Sequence, residues 1–280
     1  MKDREFHELK GGEEFKAKGA EIATFFDLDG TLLPLPSLET RLCRMLRYRK
    51  RIGLRHGFAW LREALHLLPR GIGQVLNGNK AYLRGIPVAE QEALAMPGFL
   101  AEALQRVRWH AAHGHRIVIV SGTLEPLAER AGRLLETELA TRGMRAFVEV
   151  CATRLENMAG IWSGRIVGEA MFGEAKARAV WRFCTSHGIA LAGCFAYGDS
   201  ANDRCMLEAV GRPSAVNPSD DLARIARRNG WPVLRWKAQG ATTLQTQRSR
   251  PSLRSSVSEV SAEASRRPAQ AAAVKQECRR

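Results

Sequence analysis

Short apolar runs, each stopped by small or acidic residues, set the rhythm of the chain. Ala23 to Phe26 leads into Asp27-Leu28-Asp29-Gly30-Thr31, and Arg116 to Val120 ends in Ser121-Gly122-Thr123. Ala146 to Cys151 is a third run; Gly193 to Tyr197 stops at Gly198-Asp199, and Ala215-Val216 follows. Apolar runs this short, bounded by turn formers, read as buried strands of a parallel sheet. Segments with a helical period lie between them: Phe99 to His110, Glu125 to Leu139, Gly173 to His187 and Asp220 to Arg228. Trp231 to Trp236 reads as an edge strand. Alternating strands and helices predict an α/β fold, a parallel sheet with helices on both faces.

Two stretches break the alternation. After the first strand, Pro34 and Pro36 delay any helix, and Ser37 then offers an N-cap to a pattern carried by Leu38, Leu42, Met45 and Leu46. Helical spacing continues through Trp60, Leu61, Leu65 and Leu68, breaks at Pro69-Arg70-Gly71, and resumes to Leu83 and again from Glu90 to Ala95. Residues 35–97 therefore read as a helical insert, and residues 21–34 plus 98–240 as the core. In the second stretch, Met158 to Gly168, two apolar pieces flank Ser163-Gly164, which predicts a small hairpin turning there. Trp162 in that hairpin, with Trp60 and Trp109, is expected to pack in the interior.

Composition adds charge and compartment. The formal net charge is +14 over 280 residues. Residues 38–70 hold nine Lys/Arg against two Glu, and residues 241–280 eight against three, so the excess belongs to one insert and one tail. The tail is rich in Ser, Arg, Ala and Gln and is expected to be disordered. It has no aromatics to stack bases, so no specific nucleic-acid partner is expected. Residues 1–20 are polar and Gly-containing, a flexible lead-in without the apolar core of a signal peptide. Six cysteines form no CxxC pair, which predicts reduced thiols and a cytoplasmic setting. No apolar run is long enough for a transmembrane segment. Arg41, Arg44, Arg47 and Arg51 recur at helical spacing and would form one basic face, for an anionic substrate or an anionic surface, or a merely solvated one. The histidines pair with no nucleophile in the pattern and are expected at the surface or at helix ends.

The strand ends gather the chemistry. Asp27 and Asp29 emerge from the first strand, where ligands of open α/β sheets sit. The second ends in Ser121-Gly122, a helix start supplies Lys176, and the fourth ends in Asp199 with Asn202 and Asp203 behind it. Carboxylates around one mouth suit Mg²⁺, which takes oxygen ligands and keeps several waters. A hydroxyl, free backbone N–H groups and a lysine suit phosphate. Together they describe metal-assisted phosphoryl transfer.

Asp27-Leu28-Asp29-Gly30-Thr31, Ser121-Gly122-Thr123, Lys176 and Gly198-Asp199-Ser200-Ala201-Asn202-Asp203 stand in the order of the four motifs of the haloacid dehalogenase superfamily, which the chain resembles. The helical insert after the first strand resembles the C1-type cap of subfamily IB, the phosphoserine-phosphatase-like branch. The resemblance implies a Rossmann-like core and a phosphomonoester hydrolase. Asp27 would attack phosphorus to give an aspartyl-phosphate, and Asp29 would protonate the leaving oxygen. Mg²⁺ would be held by Asp27, the Asp29 carbonyl and Asp199, with Asp203 supporting its waters. Thr31, Ser121, Gly122, Lys176 and Asn202 would bind or orient the phosphoryl group. Dehalogenases of the superfamily lack the second acid, so Asp29 favours phosphate over halide. Phosphoserine phosphatases hold the substrate amine with a Glu at the position that is Pro36 here, and Glu39 is displaced from it. The substrate stays open between a small phosphorylated metabolite, a phospholipid-type headgroup and phosphoserine itself. Transfer to a second alcohol, and a non-enzymatic anionic-surface binder, are the alternatives.

Overall fold

A computed structural model describes residues 21–237, and the expectations for the lead-in and the tail lie outside the described residues. A six-stranded sheet is built from β1 (Ala23–Phe26), β2 (Arg116–Leu124), β3 (Val148–Thr153), β6 (Phe195–Gly198), β7 (Arg212–Val216) and β8 (Val233–Leu234). All neighbours are parallel, in the order β3-β2-β1-β6-β7-β8. From β1 the chain steps outward to β2 and β3, then returns to fill the other side with β6, β7 and β8. That reversal beside β1 opens a crevice at the strands' carboxyl ends, and Asp27 is the residue that enters it.

α4 (Ala101–Ala112), α5 (Glu125–Ala140), α6 (Glu174–His187) and α8 (Asp220–Asn229) flank this sheet. They bury the sheet in two apolar clusters. Phe26, Ile117, Ile119 and Val216 join one with α4 and α5; Phe25, Val118, Val120 and Ala215 join the other with α6 and α8. The alternation Phe25/Phe26 and Val118/Ile119 is the two-residue period of a strand covered on both faces. The short α7 (Arg204–Glu208) follows a 3₁₀ turn at Ala201–Asp203.

Between β1 and β2 lie α1 (Leu38–Tyr48), α2 (Leu54–Leu67) and α3 (Ile72–Gly78), with 3₁₀ turns at Leu68–Arg70, Ala81–Leu83 and Val88–Ala93. Ser37 caps α1 as its sequence suggests, accepting from the Thr40 N–H. Leu38, Leu42 and Leu46 of α1 join the cluster that holds Phe26. Ala64 and Leu67 of α2, with Trp60, pack instead on Val75 of α3 in a cluster of their own.

The hairpin forms, but its turn is elsewhere. β4 (Leu155–Met158) and β5 (Ile161–Ile166) are joined at Ala159-Gly160, not at Ser163-Gly164. Ala159 and Gly160 both have positive φ, +50° and +84°, the backbone of the tight turns that match strand twist. Gly164 serves a different need: a Cβ there would lie 3.1 Å from the Ala81 Cα, so the glycine lets β5 press against the chain after α3. Trp162 anchors the same contact, buried and exchanging backbone hydrogen bonds with Gly85 and Ile86. Trp60 and Trp109 are half-buried rather than interior. No described helix is long and apolar enough to cross a membrane.

Candidate active site

β1 is fully buried between two parallel neighbours. Asp27 follows it directly, fixed by its N–H donating to the Tyr197 carbonyl at 2.9 Å. The chain then turns tightly through Leu28–Leu33, with Leu32 and Leu33 N–H groups both donating to the Leu28 carbonyl. This turn swings Asp29 to the start of α1, where its Oδ1 accepts from the Leu38 N–H at 2.8 Å. Gly30, at φ +95°, is required twice over. Its backbone disfavours any side chain, and a Cβ would lie 2.1 Å from Asp199 Oδ2.

Opposite, Lys176 at the start of α6 is buried, and its Nζ donates to Asp27 Oδ1 and Asp203 Oδ1, both at 2.5 Å. Asp203 is wholly buried, and its Oδ2 accepts from the Asp199 and Ser200 N–H groups and the Ser200 hydroxyl. Oxygens of Asp27, Asp199 and Asp203 all lie within 4.8 Å of one another. Such crowding out of water is costly to sustain as three charges. Burial, then the Asp203 and Asp199 carboxylates, push Asp27 well above the usual carboxylate range against the pull of Lys176. Asp199 is pushed up to about 7 by burial and Asp203. Burial works against the Lys176 charge, but Asp203 and Asp27 outweigh it and raise its pKa. Burial lifts Asp29 to about 6, with the Leu38 N–H opposing.

These groups open on a cavity of about 570 Å³. Asp27, Asp29, Ser121, Gly122, Lys176, Asp199 and Asn202 all line it, so seven of the residues singled out in the sequence converge there. Ser121 is buried, and its Oγ accepts from the Thr123 N–H at 3.2 Å. Two of the expected residues stand apart. Thr31 is fully buried and absent from the lining, with no hydrogen-bond partner for its hydroxyl. Asp203 lies behind the wall with its oxygens already engaged, holding Lys176 and the Asp199-Ser200 loop. Three carboxylates this close together, with the pKa values of Asp27 and Asp199 raised by burial and by the neighbouring charge, fit a small divalent cation, and Asp27 and Asp199 are the members that face the cavity.

The far wall comes from α1 and the chain after it. Glu39, Thr40, Cys43, Arg44 and Arg47 line the cavity from one face of α1. The expected single face of four arginines is therefore divided. Arg41 donates to the Pro34, Leu35 and Pro36 carbonyls. Arg51, beyond the end of α1, pairs with Glu90 at 2.7 Å, and Arg49 pairs with the same carboxylate. Only Arg44 and Arg47 of the four reach the cavity, and neither pairs with a carboxylate among the described residues. Glu39 is already engaged: Lys80 Nζ donates to both its oxygens at 2.6 Å, and the Tyr82 hydroxyl donates to Oε1. Lys80 and Tyr82 carried no signal in the sequence, because nothing local marks a lysine that ends up 4% exposed.

One histidine departs from expectation. His110 is fully buried, with Nε2 3.0 Å from the Tyr197 hydroxyl and Nδ1 2.8 Å from His115 Nδ1. It sits on α4 beneath the sheet, where its position in the helical period selects the interior.

Comparison with known proteins agrees with this geometry. The profile of the family described as haloacid dehalogenase-like hydrolase matches residues 24–208. A Streptomyces azureus protein named for inhibition of morphological differentiation is 31% identical over 242 residues, covering 81% of this chain and 82% of that protein. Phosphoserine phosphatase SerB1 of Mycobacterium tuberculosis is 30% identical over 225 residues, covering 75% of this chain and 70% of that one. Among solved structures, a Bordetella pertussis protein of unknown function is 28% identical with a TM-score of 0.60, covering 77% of this chain and 98% of that one.

Proposed function

The chain belongs to the haloacid dehalogenase-like hydrolase family and is an enzyme of the phosphatase type, and we propose that it hydrolyses phosphomonoesters with Mg²⁺ through an aspartyl-phosphate on Asp27. The observation that carries this reading is the convergence of Asp27, Asp29, Lys176 and Asp199 on one cavity at the carboxyl end of β1. Asp27 Oδ attacks phosphorus as the bond to the leaving oxygen breaks. Asp29, held at the start of α1 and lifted to about 6, gives that oxygen its proton. A carboxyl with a pKa near neutrality suits both proton donor and acceptor. It then takes a proton from the water that attacks phosphorus, releasing phosphate and restoring Asp27.

Lys176 orients the nucleophile and brings positive charge to the phosphoryl site, and Asp203 keeps Lys176 in place. Ser121, the Gly122 N–H and Asn202 receive phosphoryl oxygens. Mg²⁺, held by the Asp27 and Asp199 carboxylates and the Asp29 carbonyl, would neutralise charge on the phosphoryl group. Residues 35–97 act as a cap that admits substrate and excludes water.

On the leaving-group side, Lys80 and Tyr82 satisfy Glu39, while Arg44 and Arg47 have no carboxylate partner among the described residues. This balance supports a leaving alcohol that carries a further anionic group over one that carries an amine. A phosphate-release panel of neutral, cationic and anionic phosphoesters, with and without Mg²⁺, tests the reading. Activity is expected in the wild type, dependent on Mg²⁺ and absent in Asp27→Asn. Equal turnover by Asp27→Asn would overturn it.

A further inference from the structure

α2 carries two apolar faces, and only one is used within the described residues. Its inner face, Ala64 and Leu67 with Trp60, packs on Val75 of α3. Its outer face presents Leu54, Phe58, Leu61 and Leu65, followed by Leu68, and these side chains are 52 to 85% exposed. They fall within about 80° of arc at helical pitch, a continuous stripe. Ile72 and Leu76 of α3 are also exposed. An unbroken exposed apolar stripe of this kind marks an interaction surface.

Charge selects the occupant. Arg55 and Arg62 lie along one side of the stripe on α2, and Lys50 precedes it; none pairs with a carboxylate among the described residues. Residues 38–70 hold the two glutamates Glu39 and Glu63 against nine basic residues, and Glu39 is committed to Lys80. Apolar side chains bordered by unpaired arginines are the pattern of a helix lying in the plane of an anionic bilayer. We propose that the α2 stripe docks this protein on an anionic membrane surface, with Leu54, Phe58, Leu61, Leu65 and Leu68 entering the acyl boundary and the arginines meeting phosphate headgroups.

Leu76 is both exposed and part of the cavity lining. With Leu76 included in the docked surface, the bilayer lies beside the cavity mouth, within reach of a phosphomonoester carried on a lipid. This second step rests on the phosphatase reading; docking itself does not.

The test is co-sedimentation of the full chain with phosphatidylcholine vesicles and with vesicles containing phosphatidylglycerol. Binding to the anionic vesicles is expected to be about tenfold or more tighter and to weaken as salt rises. Phe58→Asp/Leu61→Asp, whose side chains touch no part of the cavity, is expected to abolish it while circular dichroism and turnover of a soluble phosphoester stay unchanged. Presenting a phosphomonoester lipid in such vesicles is expected to raise wild-type turnover over a short-chain soluble analogue, and the double variant loses that advantage. Failure of the wild type to sediment, or equal sedimentation of the variant, overturns docking. So does a wild-type dimer that the double variant splits and that ignores vesicles. Sedimentation without hydrolysis of any phosphoester keeps docking and overturns the phosphatase reading.

Discussion

The Lys80 ammonium donates to both carboxylate oxygens of Glu39 at 2.6 Å, across 41 residues of sequence. This glutamate on the cavity wall is thus answered from within the chain. Removing one partner of a largely buried ion pair leaves the other charge uncompensated, at a cost of about 3 kcal/mol. Lys80→Met is expected to lower stability by about that amount in denaturant titrations, and Glu39→Gln in the same chain to restore part of it. The freed Glu39 in Lys80→Met is also expected to raise kcat/KM for an aminoalkyl phosphate relative to a neutral hydroxyalkyl phosphate. An unchanged ratio would show that Glu39 does not face the leaving group.

Asp27, Asp199 and Asp203 repel one another in a space that burial has dried. A cation that binds only the folded chain stabilises it by about 2.7 kcal/mol at a hundredfold excess over its Kd. For a body of this size that is a rise in Tm of roughly 5–10 °C. Wild type is expected to show this rise with Mg²⁺ and lose it with chelator. Asp199→Asn is expected to show no Mg²⁺-dependent rise and, without metal, to be at least as stable as wild type, because one repelling charge is gone.

Gly30→Ala adds a methyl 2.1 Å from Asp199 Oδ2 at a φ of +95°. The backbone strain alone is worth about 1–3 kcal/mol, and Asp199 must move aside. Loss of both hydrolysis and the Mg²⁺-dependent rise in Tm is expected. A Gly30→Ala enzyme with wild-type metal response would contradict the close approach.

His110 gives a stability signature in acid. Burial, then His115, Arg106 and His113, lower its pKa to about 2. Above about pH 6.5, the ordinary value, folded and unfolded chains both hold it neutral and its contribution is fully present. Below that, the unfolded chain takes a proton that the folded chain refuses, so stability falls by about 1.4 kcal/mol per pH unit, down to the folded value. Between pH 6.5 and 5 the loss is about 2 kcal/mol. His110→Gln is expected to remove that part of the slope when urea midpoints are compared at the two pH values. Parallel slopes would refute the assignment.

The strands and the motifs at their ends were legible in the sequence because both are local. A buried parallel strand needs a short apolar run, and a ligand-bearing turn needs Gly, Ser or Asp at its end. Ala23–Phe26 with Asp27, and Phe195–Gly198 with Asp199, satisfied both conditions. The hairpin was half legible. Its apolar pieces showed, but Ser163-Gly164 looked like the turn, because a glycine kept for close packing on Ala81 has the same letter as one kept for a bend.

What the sequence determined by itself was the α/β order and the set of acids, hydroxyl and lysine that meet beyond β1. Tertiary structure alone decided which charges are answered and which are left over. Arg41, Arg44, Arg47 and Arg51 look equivalent along the chain, yet one caps a turn, one pairs with Glu90 and two face the cavity. Asp203 and Thr31 belong to motifs but stand behind the cavity wall, while Lys80 and Tyr82 belong to none and reach Glu39. The reason is range. Strand and turn propensities act over a few residues, whereas an ion pair depends on where two distant segments are brought together. Here that is set by the fit of Gly164 and Trp162 against the chain that carries Lys80.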